Sequence, residues 1–337
     1  MKILVLPGDG IGPEITAATL AVLQAADARL GLGLSFEQMD IGLKALKEQG
    51  TTLPAPVMAR VPQMDGVILG PVSHYEYPAK EKGGINPSGA LRVTFNLYAN
   101  VRPCRSREGM SILRKPMDLV IVRENTEGFY ADRNMFAGGG EFMPEPDIAL
   151  AVRKITAKGS ARVARAAFEI ARGLLQEVRR VAQDFPDVEL DDLIVDAASA
   201  HIIRRPDTFD VIVTTNMFGD ILSDEASELC GSLGLGGSIN AGDEFCVAQA
   251  QHGSAPDIAG RNIANPTSLI LSAAMLLDWR GRRDGNAALI AAASLIEAAV
   301  EETISDPQTR TGDLGGITST DAFAAAVCRR ISAASAA

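Results

Sequence analysis

Cysteine is scarce in this chain and thinly spread. Cys104, Cys230, Cys246 and Cys328 form no CxxC pair, which argues against a disulfide framework or a zinc site and for reduced thiols in a cytoplasmic protein. Long apolar runs are missing too. The opening run Lys2–Leu6 stops at Pro7-Gly8, too short for a signal peptide or a membrane span. The alanine-rich stretches near 267–276 and 287–300 contain no charge-free run of about 18 residues, so they read as buried helices. Basic residues are outnumbered: Lys+Arg 32 against Asp+Glu 42 gives a net charge of −10. That argues against nonspecific nucleic-acid binding, while leaving room for local basic pockets that take anions. No internal repeat or low-complexity linker is visible, so any domain boundary is crossed by ordinary strands.

What remains is a long, apolar, well-punctuated chain. Its 337 residues exceed the usual single core, implying two domains or one large α/β unit, and 47% hydrophobic residues supply ample core. The first segment reads as strand Lys2–Leu6, glycine turn 8–13, then helix from Glu14 to about Ala26. Further strands are expected at 66–69, 120–122, 193–195 and 211–213, and a helix at 160–180. Residues 77–88, rich in Gly, Pro and Lys, read as a mobile surface loop, and 137–148 as an arm or connecting loop. Strands repeatedly separated by helices indicate an α/β protein with a largely parallel sheet.

The most informative segment follows Val211-Ile212-Val213. Asp220 and Asp224 stand one helical turn apart just beyond that strand, where an open α/β sheet presents its ligands. Side by side they repel, and a hard cation such as Mg2+ or Mn2+ would offset that. Asp196, after Leu193-Ile194-Val195, is the natural third carboxylate, or else a helix cap. Arg92, Arg102 and Arg123 each end an apolar stretch. Converging, their planar donor forks would grip a di- or tricarboxylate; singly, each would pair with a neighbouring acid. Tyr130 is a candidate proton donor or a packing residue. Gly8-Asp9-Gly10-Ile11-Gly12 has the context of a nucleotide loop but not the G-x-G-x-x-G spacing, and a tight turn explains it equally well. His252, one of 3 histidines, opens a second glycine-rich loop and is either a ligand-binding or a structural imidazole.

Taken together, LPGDGIGPEI (6–15), FNLYANVRPCR (95–105), VIVRENTEGFY (120–130), TTNMFGDILSDEASEL (214–229), QHGSAPDIAG with IANPTSLI (within 251–270) and RTGDLGG (310–316) resemble the isocitrate/isopropylmalate dehydrogenase family. These are metal- and NAD(P)-dependent β-decarboxylating dehydrogenases of 2-hydroxy acids. The resemblance implies an isopropylmalate-dehydrogenase-like two-domain α/β fold, not a Rossmann fold. Residues 1–99 plus 231–337 would form the cofactor-side domain, and 100–230 a middle domain carrying the arm, the metal and the contact of a homodimer with shared active sites. Carried over by residue, Arg92, Arg102 and Arg123 clamp the malate portion of the substrate. Asp220 and Asp224 hold the metal with Asp196 of the partner chain, and Tyr130 protonates the product carbanion. Gly10 and Ile11 line the nicotinamide end of NAD, while His252, Gly253, Ser254, Ala255, Asp257 and Ile258, with Asn265, hold its adenosine half. An acid at Asp257 resembles NAD users, since it accepts from free ribose hydroxyls and repels a 2′-phosphate.

Two features depart from that pattern. The family's strand with a His-Lys-Ala-Asn-like motif, whose lysine is a catalytic base supplied across the dimer, has no counterpart: Ala171-Arg172 runs directly into Gly173-Leu174. Lys154 and Lys158 precede the helix and do not match it. An omitted segment, a noncatalytic or impaired deletion variant, and an enzyme with another base all fit, and a break or remodelling is expected at 172–173. The second feature is Asn86-Pro87-Ser88-Gly89-Ala90-Leu91-Arg92, which lacks the leucine pair suited to an isopropyl group. Asn86 and Ser88 point instead to a polar substituent, as in isocitrate, homoisocitrate or tartrate, above isopropylmalate.

Overall fold

The computed structural model describes residues 1–113, 115–129, 140–170, 179 and 181–334, with 169 and 170 described by backbone alone. The chain forms two compact units, one of Met1–Thr94, Ser232–Ile239 and Glu244–Ala337, the other of Phe95–Gly231 and Asn240–Asp243.

The first unit is built on parallel strands in the order Ser35–Gln38, Lys2–Leu6, Gly66–Leu69, Cys246–Gln249. Ile3 to Leu6 and Val67 to Leu69 are buried without interruption, as a parallel sheet covered on both faces requires. The helices Gly12–Leu30, Thr267–Asp284, Ala287–Ser305 and Thr320–Ala333 pack against one another, and Thr267–Asp284 lies on the sheet. Asn286 starts the Ala287–Ser305 helix by accepting at Oδ1 from the amides of Ala288 (3.1 Å) and Leu289 (3.4 Å). Residues 77–88 run along the surface as their composition suggests, and part of the segment is tied back to Thr52. The Thr52 hydroxyl, on a fully buried residue, accepts from the Ile85 amide (2.7 Å), and its amide donates to the Gly83 carbonyl (2.9 Å). With these backbone groups satisfied, the helix Pro87–Thr94 starts inside the segment.

In the second unit Ala99–Arg105 runs antiparallel to Asp118–Glu124, which pairs in parallel with Val211–Thr214. Strand alternation sorts the side chains. Leu119, Ile121 and Cys104 pack with Leu222 and Ala226 of the helix Asn216–Leu229. Val122, Ala99 and Val213 pack with Val163 and Ala167 of the helix Ala157–Ile170. Arg102 and Arg123 share the parity of Cys104 and Ile121, so both emerge on the Asn216–Leu229 side. Residues around 137–148 include part of an antiparallel hairpin, Glu141–Glu145 with Ile148–Ala151.

The strand expected at 193–195 is absent. Val195 opens the helix Val195–Arg204, and Leu193 and Ile194 lie exposed ahead of it. Three apolar residues carry no period that separates a buried strand from the approach to a helix. Of the helix expected at 160–180, Ala157–Ile170 is described; residues 171–178 and 180, with the remodelling expected at 172–173, lie outside the described residues. Among the described residues no helix is long and apolar enough to cross a membrane.

Asn286→Ala removes a side-chain cap and is expected to destabilise the chain by about 1 kcal/mol in urea unfolding. An unchanged midpoint would show that the cap contributes nothing.

Candidate active site

The helix Asn216–Leu229 carries Asp220 and Asp224 one turn apart, facing the strands that bear Arg102 and Arg123. Arg102 Nη1 donates to Asp224 Oδ1 at 2.9 Å and to the Ser223 hydroxyl at 2.7 Å. Arg102 Nη2 lies 3.2 Å from Asp220 Oδ1, and Arg123 Nη1 donates to the same oxygen. The repulsion expected between the carboxylates is thus offset by two guanidiniums. Arg102 and Arg123 are buried, whereas the side chains of Asp220 and Asp224 keep 30% and 50% of their exposure, so carboxylate surface still faces solvent. Partial burial pushes the Asp224 carboxyl above the usual carboxylate range; Arg102 opposes this shift and Asp220 adds to it.

Behind the guanidiniums stand neutral amides. Asn216 Oδ1 accepts from Arg123 Nε (2.9 Å) and Nη2 (2.7 Å), and Asn100 Oδ1 accepts from Arg102 Nε (2.6 Å). Asn240 Oδ1 in turn accepts from the amides of Asn100 (3.2 Å) and Asn125 (2.9 Å). Sequence reasoning missed all four. The asparagines of the ANVRP, RENTEG and TTNMFGD segments were the available signal, but no local pattern announces a hydrogen bond between residues so far apart. Gly219 permits the close approach. A Cβ there would come within 2.7 Å of Arg123 Cβ and 2.8 Å of its Cγ, so only glycine lets the helix settle onto that arginine.

Asp196 does not join this pair within one chain. Among the described residues no three acids, histidines or cysteines gather as a cation site. Asp196 lies exposed in the first turn of its helix, one oxygen accepting from the Ala197 amide at 2.7 Å. The contact between the two helices runs instead through Ser199, whose hydroxyl donates to Glu225 at 2.9 Å. Tyr130 lies outside the described residues.

Arg92 belongs to the other unit, so the structure brings together Arg102 and Arg123 and describes Arg92 in its own surroundings. On the helix Pro87–Thr94, the buried Ser88 hydroxyl donates to Gln249 Oε1 at 2.9 Å, and Arg92 Nη2 donates to the same oxygen at 3.4 Å. Gln249, at the end of its strand, is another residue that sequence reasoning passed over. Asn86 Oδ1 accepts from the Gly89 amide at 3.3 Å and so helps to start the helix.

The two glycine-rich loops of the first unit meet. The Ile11 amide donates to the Ser254 carbonyl at 2.8 Å, and the Ser73 and Ser254 hydroxyls are bonded at 2.8 Å. Gly10 has φ 57°, and a Cβ on it would lie 2.0 Å from the Ser254 carbonyl oxygen; both the tight turn and the loop contact require glycine. Ile11 is buried, while Gly253 and Asp257 are exposed, the latter in the short turn Pro256–Ile258 after left-handed Ala255. His252 Nδ1 lies 3.0 Å from the Gly253 carbonyl, an acceptor, so Nδ1 carries the proton and Nε2 is the acceptor. That Nε2 is buried without a hydrogen-bond partner among the described residues, and burial lowers the imidazole pKa. Asn265 donates to Asp313 at 2.9 Å and accepts from the Thr267 amide at 3.0 Å. Asp313 of the RTGDLGG segment also receives the Thr311 and Ser232 hydroxyls (2.5 and 3.2 Å). It is therefore an anchor that its motif alone did not explain.

Arg102 and Arg123 are thus each paired with a neighbouring acid, and the two lie together with Asp220 and Asp224 in one of the two α/β units. The chain belongs to the isocitrate/isopropylmalate dehydrogenase family, whose model matches residues 2–174 and 171–327. It is 40% identical over 347 aligned positions to the isocitrate/homoisocitrate dehydrogenase of Thermus thermophilus, covering 97% of each chain. With the 3-isopropylmalate dehydrogenase of Archaeoglobus fulgidus it shares 37% over 344 positions, covering 96% of this chain and 97% of the relative. The crystal structure of isocitrate dehydrogenase from Methylococcus capsulatus superimposes with a TM-score of 0.84 at 38% identity, covering 98% of this chain and 99% of the other. The protein is accordingly an oxidoreductase with this family's two-domain α/β fold, a decarboxylating dehydrogenase of the isocitrate/isopropylmalate type. Its family match falls into two pieces that meet at 171–174, where the lysine-bearing motif has no counterpart.

Gly219→Ala forces the helix off Arg123 and is expected to cost about 1–3 kcal/mol of stability, the range for overpacking. Thermal melting checks this, and an unchanged Tm would show that the close approach is dispensable.

Proposed function

We propose that the chain oxidises and decarboxylates a 2-hydroxy acid whose distinguishing substituent is polar, as in isocitrate or homoisocitrate, in preference to isopropylmalate, with tartrate a further candidate. The observation that carries this is the buried Ser88 hydroxyl, bonded to Gln249 Oε1 in the segment that would meet that substituent. Polar groups pressed against an isopropyl group would lose their water and gain no partner, whereas a carboxylate or hydroxyl replaces it.

In this reading Arg92, Arg102 and Arg123 grip the substrate carboxylates, with Ser88 and Asn86 beside them. Asp220 and Asp224 supply adjacent, solvent-facing carboxylates that suit Mg2+ or Mn2+, and Asp196 of a second copy would complete the set. The hairpin supports such a homodimer, for Phe142, Met143, Ile148 and Leu150 are exposed on it. The unpartnered acceptor of His252 fits a donor on the adenosine half of NAD. Gly253, Ser254, Ala255 and Ile258 shape that loop, Asn265 holds it through Asp313, and Asp257 meets the ribose hydroxyls, while Gly10 and Ile11 line the nicotinamide end. The first unit would thus hold the cofactor and the second the cation and the dimer contact. Bound there, NAD would supply a hydride acceptor and the divalent cation a Lewis acid. The arginines hold the acid in register while carbon dioxide leaves, and Tyr130 returns a proton to the carbon left behind.

NADH formation with Mn2+ across a panel of 2-hydroxy acids tests this. Isocitrate or homoisocitrate should exceed 3-isopropylmalate in kcat/KM by about tenfold or more, and Asp220→Asn should abolish the signal. A preference for isopropylmalate would overturn the substrate assignment. No NADH from any acid, with cofactor still bound, would favour a noncatalytic subunit. Asp257→Lys is expected to lower the NAD to NADP ratio of kcat/KM by about tenfold or more; an unaltered ratio removes Asp257 from ribose recognition.

A further inference from the structure

In the first unit the Asp9 carboxylate is buried, with 5% of its surface exposed, and it takes three hydrogen bonds. Oδ1 accepts from the Leu43 amide at 2.7 Å, and Oδ2 from the Ser73 amide at 2.9 Å and from the Tyr77 hydroxyl. Among the described residues no lysine or arginine pairs with it. We propose that Asp9 sets a preference for the redox state of the cofactor: its uncancelled negative charge favours NAD+, whose nicotinamide ring is a cation, over NADH, whose ring is neutral. This rests on the reading that Gly10 and Ile11 line the nicotinamide end.

The donors explain why an acid stands here. Two oxygens that serve three donors suit a carboxylate, which only accepts, and not an amide, whose NH2 would face an N–H or O–H. None of the donors brings a charge. Two are backbone amides, and burial pushes the Tyr77 phenol above its ordinary pKa, so it donates as a neutral group. Such bonds favour the anion without neutralising it, and away from water its field is weakly screened. The charged residues beside the donors do not supply the missing cation. Lys44, next to Leu43, is held by Asp40 at 2.7 Å. Burial lowers the pKa of His74, next to Ser73, and Glu76, next to Tyr77, adds negative charge.

The carboxylate is part of the junction of the two glycine-rich loops. The Asp9 amide donates to the Pro71 carbonyl and its carbonyl accepts from the Gly12 amide, both at 2.8 Å. Ser73, which donates to Asp9, meets the Ser254 hydroxyl, and the Ser254 carbonyl receives the Ile11 amide. The backbone at Gly42 closes over the acid, where a Cβ would fall 2.3 Å from Oδ1. A charge fixed in this way acts on the one ring that hydride transfer changes from cation to neutral. NADH is then held more loosely than NAD+, which favours its release as product.

Calorimetric Kd values for NAD+ and NADH test this. The readout is the ratio of the NADH Kd to the NAD+ Kd, so that damage to the loops, which weakens both forms alike, cancels. Asp9→Asn removes the charge, and Tyr77→Lys, a side chain of similar reach, keeps a donor against Asp9 while cancelling it. Each is expected to lower the ratio about tenfold or more. Tyr77→Phe removes the tie and leaves the charge, so its ratio should stay within about twofold of the parent. An unaltered ratio in whichever of Asp9→Asn and Tyr77→Lys melts cooperatively, or an equal fall in Tyr77→Phe, would overturn the proposal. A parent that binds neither nucleotide sinks the cofactor reading and this inference with it. One that binds both but turns over no acid sinks only the substrate assignment.

Discussion

Two buried guanidiniums set the terms for the second unit. A charge taken out of water costs several kcal/mol unless it is paired and hydrogen-bonded, so burying Arg102 and Arg123 dictates what surrounds them. The strand pairing sets them diagonally on one face, and Asn100 and Asn216 occupy the sides away from solvent. The Asn216–Leu229 helix must come close enough for Asp220 and Asp224 to reach them, which in turn demands glycine at 219. A buried network running through Asn240 ties the arrangement to the segment where the chain passes from one unit to the other.

Much of this was legible in the sequence wherever local chemistry and structure agree. The β-branched runs at Val120–Val122 and Val211–Val213 are strands whose two faces both carry apolar packing, in part only half-buried, and Asp220 and Asp224 share a helix face because four residues make about one turn. The failures have equally physical origins. Leu193-Ile194-Val195 is too short to carry a period. That a helix starts at Pro87, inside the loop-like stretch 77–88, goes with a tie from Ile85 to Thr52, 33 residues away. Asn100, Asn216 and Gln249 draw their meaning from partners that only folding brings near, and a neutral amide leaves no charge pattern to read.

The first unit obeys a different constraint, the contact of two loops. Ser254 reaches Gly10, Ile11 and Ser73 at once, so the glycine turn after the opening strand and the histidine loop form one surface. This explains why glycines with the wrong spacing for a dinucleotide fingerprint still occupy a strand-to-helix turn. They serve the approach of a neighbouring loop, and the His252 acceptor is held beside that junction by the chain's own backbone.

The arrangement of Arg102, Arg123, Asp220 and Asp224 has an electrical consequence. Two cations and two anions, locked together, sum to nothing. The cluster therefore adds nothing to the chain's net charge of −10, and its strength is wholly local: each guanidinium is held by a carboxylate of the opposite sign, the two acids fixed one turn apart on a helix.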